Sequence, residues 1–101
     1  MFTPIYAFHP WEYIEEELEA RNRSQTFFAE LIWVSRTFVN DLIKWRKNIT
    51  PQLAILISAA FWTSAQMWLN LQEMYDINKL KDDKELQKKK RLIEDRVLEL
   101  A

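Results

Sequence analysis

The chain contains no glycine, although an average usage of about 7% would place roughly seven in a protein of this length. Gly-rich loops that cradle phosphate are therefore excluded. Helix ends and turns that ordinarily use glycine at positive φ have to be built from other residues. Cysteine is absent as well, which removes disulfide scaffolds, zinc fingers and thiol chemistry together. The single histidine, His9, leaves no histidine-rich metal site, and no metal or other cofactor is expected. No basic segment followed by an apolar run occurs near Met1, so the start does not read as a secretory signal. The longest apolar stretch, Leu53 to Trp62, is interrupted by Ser58 and is about half of what a membrane span needs. A cytoplasmic, soluble domain without a membrane partner is the expectation. Neither sign of charge dominates: 14 Lys and Arg stand against 15 Asp and Glu. That balance argues against a disordered chain and against a protein that coats polyanions with its whole surface.

What remains is a helical pattern from end to end. With 101 residues and 49% hydrophobic content, the chain makes one small domain. Pro10, followed by acids, opens a first helix to about Arg21, with Ile14 and Leu18 at helical spacing. Ser24 and Ser35 cap two short helices, which carry Phe28, Leu31 and Ile32, then Val39, Leu42 and Ile43. Thr50-Pro51 opens a fourth helix around Leu53 and Ile57, and Thr63-Ser64 a fifth around Met67, Trp68 and Leu71. The expected core is Ile14, Leu18, Phe28, Leu31, Val39, Leu42, Leu53, Ile57, Trp68 and Leu71. From Lys79 the composition turns to charge. A narrow apolar edge of Leu86, Ile93, Val97 and Leu100 predicts a C-terminal helix over about 82–100, packed on its own domain or on a partner. Residues 1–78 then form the main unit and 79–101 an appended helix. The fold class is all-α.

The two short helices at Ser24–Ile32 and Ser35–Trp45 form a candidate helix-turn-helix, in which the second helix offers its N-terminal residues to the major groove. Between Arg21 and Thr50 six basic residues meet only two acids, a local excess of +4. Phosphate binding needs such a concentration whatever the whole-chain charge. Catalysis finds no comparable support. Glu15-Glu16-Glu17 lacks a partnering base, neighbouring helix residues point in different directions, and His9 before Pro10 reads as a cap. The chain is not expected to be an enzyme. The run Lys88 to Arg91 reads as a solvated helix face.

The stretch from His9 to Asp76, with TSAQMWLNLQEMYD as its most specific part, resembles the HigA/VapI-type antidotes of bacterial toxin–antitoxin modules, within the phage-repressor-like helix-turn-helix regulators. The resemblance implies a five-helix DNA-binding domain, usually dimeric, that binds operator DNA and a cognate toxin. By position it implies that Gln25 starts the first motif helix and that Ser35, Arg36, Thr37 and Asn40 read DNA. Lys44 and Arg46 become phosphate contacts. Nothing carries over to the tail after Asn78.

The departures from that pattern are concentrated. Trp11, Trp33, Trp45 and Trp62 stand where the family has glycine, and Phe27 and Phe38 where polar residues are usual. A non-glycine residue at positive φ costs about 1–2 kcal/mol, and drift does not repeatedly choose the bulkiest side chain. The pattern reads as an engineered variant. Phe27, Trp33, Phe38 and Trp45, with Arg36 and Asn40 as polar contacts, then make an aromatic face that docks a protein partner. The first functional reading is accordingly a protein-binding module on an antitoxin-like scaffold. The alternative is a sequence-specific DNA-binding antitoxin and transcriptional repressor.

Overall fold

In the computed structural model, which describes residues 9–44 and 47–101, six α-helices follow one another with no strand among the described residues. They are α1 (Pro10–Ala20), α2 (Gln25–Leu31), α3 (Arg36–Ile43), α4 (Pro51–Phe61), α5 (Ala65–Lys79) and α6 (Lys84–Leu100). Each begins with a side chain that accepts a backbone N–H in its first turn: His9, Ser24, Ser35, Thr50, Ser64 and Asp83. Such caps contribute about 1 kcal/mol apiece, which matters most for the seven-residue α2 and eight-residue α3. Helices that short are marginal alone and depend on packing.

The missing glycines show at the helix ends. Asn22, Trp33 and Trp62 take φ values of 54°, 62° and 58°. After α1, the Asn22 and Arg23 N–H groups donate to the Glu19 and Leu18 carbonyls; after α2, Trp33 and Val34 donate to Glu30 and Ala29. This is the Schellman closure, in which a left-handed residue lets orphan carbonyls be satisfied. Thr63 closes α4 on the Ser58 carbonyl in the same way. Asn tolerates the conformation, whereas Trp carries its Cβ penalty. The sequence expectation that Trp33 and Trp62 occupy positive φ is met, and Trp45 lies outside the described residues. Trp11 differs: it is a helical residue of α1, and its ring is buried in the core.

That core is aromatic. Trp11 meets Phe28 edge-on at 6.3 Å, Phe28 stacks on Phe61 at 5.6 Å, and Phe61 tilts against Trp68 at 6.0 Å between centroids. Ile14, Leu18, Val39, Leu42, Leu53 and Ile57 close around them. Two expected core residues sit elsewhere. Leu31 is 49% exposed, because the inward place at the end of α2 is taken by Ile32; Leu71 is only half-buried. α2 packs on α3, α4 on α5, and α1 on α5.

α6 stands apart. None of its residues is buried. The Cα radius of gyration is 17.5 Å, against about 13 Å for a compact chain of this length. No helix among the described residues is long and apolar enough to cross a membrane.

Candidate nucleic-acid interface

Ser35 fixes where α3 begins: its Oγ accepts the Phe38 N–H at 3.0 Å. Val39 and Leu42 then turn inward and are 2% and 0% exposed. With that face committed to the core, the 3.6-residue period sends Arg36, Thr37, Asn40 and Lys44 outward, and all four are exposed. The cap of α2 is built alike, Ser24 Oγ accepting the Phe27 N–H at 3.1 Å. This places Gln25 at the first turn of α2, where free N–H groups and the helix dipole favour an anion.

The two helices meet in a shallow cleft of about 90 Å³ lined by Gln25, Thr26, Arg36, Val39 and Asn40. Three residues carried over from the family pattern are therefore brought together across an inter-helix junction, with Ser35, Thr37 and Lys44 exposed on or beside α3. Thr26 was not singled out by the sequence reasoning; its position directly after Gln25 at a capped helix start was the available signal. Lys47 was counted only in the local charge. Its Nζ lies 5.5 Å over the Phe38 ring, which directs a cation to the end of α3. Arg46 and Trp45 lie outside the described residues.

The segment after α3 is anchored from below. Gln72, buried in α5, accepts the Ile49 N–H through Oε1 at 2.9 Å and donates from Nε2 to Asp76 Oδ1 at 3.0 Å and Asn48 Oδ1 at 3.3 Å. One amide thus ties the chain leaving α3 to the longest helix of the body. No sequence pattern pointed to it, because Ile49 and Asn48, the partners it ties down, are 23 and 24 positions away.

Among the described residues, the rings expected to form the aromatic face lie in different surroundings. Phe38 is half-buried against the core. Phe27 is 40% exposed, with the Arg23 guanidinium 4.8 Å over its ring. Trp33 is 92% exposed and belongs to a separate apolar groove of about 250 Å³ with Leu31, Ile32, Leu56, Ala59 and Ala60. That groove lies between the end of α2 and α4 and shares no lining residue with the cleft that holds Arg36 and Asn40. Among the described residues, no ring contact joins Phe27, Trp33 and Phe38 to one another. Trp45, the fourth ring of the expected docking face, lies outside the described residues.

A hairpin of two capped short helices, the second presenting a polar face beside a basic segment, defines a helix-turn-helix protein. The family model described as helix-turn-helix matches residues 14–66, more than half of the chain, and the chain belongs to that family. Its structural neighbours include HigA-type antitoxins. The Pseudomonas aeruginosa antitoxin HigA, solved with the higBA promoter, is 32% identical with a TM-score of 0.72, covering 79% of this chain and 88% of that one. A second P. aeruginosa structure, a protein in complex with its operator DNA, is also 32% identical at a TM-score of 0.71, covering 77% and 85%. An addiction-module antidote of the HigA family from Coxiella burnetii is 28% identical with a TM-score of 0.72, covering 89% and 94%. No curated protein matches the chain by sequence.

Proposed function

We propose that this chain is a sequence-specific DNA-binding antitoxin and transcriptional repressor, with operator DNA and a cognate toxin as its partners. The observation that carries the reading is the cleft that sets Gln25, Arg36 and Asn40 side by side, on a fold whose neighbours include structures solved on operator and promoter DNA. Residues 1–78 form the DNA-binding unit, and residues 79–101 an appended helix.

The roles follow from donor and acceptor geometry. Arg36 offers a bidentate fork matched to guanine O6 and N7, and Asn40 a donor–acceptor pair matched to adenine N6 and N7. Thr37 can pack its methyl group on a thymine methyl, while Ser35 and Gln25 hold the helix starts against the backbone. Lys44 and Arg46 neutralise phosphates, which fixes register and makes affinity depend on salt. This reading takes the place of the aromatic protein-docking face.

Selecting duplexes from a random DNA pool with the full chain tests the proposal. Enrichment of a defined site is expected, with affinity falling linearly against the logarithm of salt concentration. Arg36→Ala and Asn40→Ala should each relax the enriched site at the position that residue contacts, while leaving helicity intact. A pool that stays random after repeated selection with the unmodified chain would overturn the reading.

A further inference from the structure

Two basic side chains of the α2–α3 region are seated on aromatic rings. The Arg23 guanidinium lies 4.8 Å over the Phe27 ring, and the Lys47 Nζ 5.5 Å over the Phe38 ring. The two rings stand at equivalent places. Each belongs to the third residue after a capping serine, and the serine Oγ accepts that phenylalanine's N–H, at 3.1 Å for Ser24 and 3.0 Å for Ser35. The cap thus fixes the backbone under each ring. Phe38 is held further by its packing against the core. Lys47 follows α3 in the chain, so its seat on Phe38 brings its charge back beside the first turn of that helix, where Arg36 and Thr37 are exposed.

A ring and a carboxylate treat a cation differently. Arg21 pairs with Glu17, and the pair presents little net charge to an anion. A ring attracts one side of the cation through its quadrupole and cancels none of its charge. Among the described residues neither Arg23 nor Lys47 has a salt-bridge partner, and both are exposed. Their outward N–H donors are open to an acceptor. A long basic side chain loses rotamer freedom when it grips a phosphate, and one already seated on a ring has lost part of that freedom beforehand.

We propose that Phe27 and Phe38 are positioning residues for nucleic acid, which hold Arg23 and Lys47 ready as two phosphate contacts outside the base-reading cleft. The proposal rests on the reading of α2 and α3 as a DNA-binding pair, and adds two contacts to those of Lys44 and Arg46. Phosphates carry no sequence, so these contacts strengthen binding to every duplex alike.

Binding of the full chain to its selected duplex and to a mixed-sequence duplex, over about 50–200 mM salt, tests the proposal. Lys47→Gln and Arg23→Gln should each reduce the slope of log affinity against log salt by about 0.9 on both duplexes. Phe38→Leu keeps an apolar side chain against the core and removes the π face. It should weaken binding about two- to fivefold when Lys47 is present, and not at all in a Lys47→Gln chain. Phe27→Leu should behave likewise toward Arg23, and Phe38→Tyr, which keeps the ring, should bind as the unmodified chain does. A ring with a merely structural role would cost the same affinity in both backgrounds, and that result would overturn the proposal. So would slopes that neither glutamine variant moves. A chain that selects no sequence but shows the coupling on the mixed-sequence duplex would defeat base reading and leave the phosphate seats standing. One that binds neither duplex at the lowest salt would overturn both.

Discussion

Trp33 and Trp62 hold left-handed backbone while their rings are 92% and 95% exposed. The conformation is costly for a side chain bearing Cβ, and so exposed a ring recovers little by packing. Replacing either with glycine removes the penalty and loses almost no burial. Trp33→Gly and Trp62→Gly should therefore each stabilise the fold by about 1 kcal/mol, read as a higher denaturant midpoint at unchanged slope. An unchanged or lower midpoint would show that these turns carry no such strain. His9 makes a different residue-scale prediction. It is 1% exposed, its Nδ1 accepts the Trp11 N–H at 3.1 Å, and its ring meets Tyr75 edge-on at 4.8 Å. Burial pushes its pKa below the ordinary 6.5, with Asp76 opposing the shift and Lys79 adding to it. As pH falls through 6.5 the unfolded chain takes up a proton that the folded chain refuses. Stability is thus fully present above about pH 6.5 and declines toward the folded value. His9→Asn, which keeps a capping side chain, should flatten the stability profile between about pH 7 and 5.5, where few carboxylates titrate.

At the scale of elements, what could be read in advance was what neighbours in sequence decide. The serine and threonine caps at Ser24, Ser35, Thr50 and Ser64 act over three residues, so the helix starts were legible to within a residue or so. The outward set of α3 was legible through the family resemblance, and the inward-facing Val39 and Leu42 agree with it. Contacts between distant segments left no comparable trace. Leu31 and Ile32 are equally apolar, and only the end of α2 decides that Ile32 is the one enclosed. Nothing in the sequence shows that Trp33 shares a groove with Leu56, Ala59 and Ala60 of α4. Gln72 is the clearest omission, since a glutamine in an amphipathic helix ordinarily faces water. Its role predicts a measurable cost. Gln72→Leu leaves the buried Ile49 N–H without its acceptor, which should destabilise the fold by about 1–3 kcal/mol. Amide exchange should rise first at Ile49 and along the last turn of α3, before the α4–α5 pair opens. Uniform protection loss across all helices would instead mean that the tie is not local.

For the whole molecule, three features have to act together: a rigid aromatic core, a polar helix face held on it, and a basic segment beside that face. Net charge of −1 hides the last of these, since a local excess is enough to draw DNA to one surface. The central claim is that α3 reads bases and that its flanking lysine reads only phosphate. The most direct test takes one selected duplex and its set of single-base-pair variants, with affinities measured at fixed salt for the unmodified chain, Asn40→Ala and Lys44→Ala. The unmodified chain should discriminate by about 1–3 kcal/mol at each contacted pair. Asn40→Ala should lose that discrimination at one position and keep it elsewhere, whereas Lys44→Ala should weaken all sites alike and reduce the salt slope by about 1. If Asn40→Ala lowers affinity equally for every duplex, or changes none of them, α3 does not read sequence and the account fails.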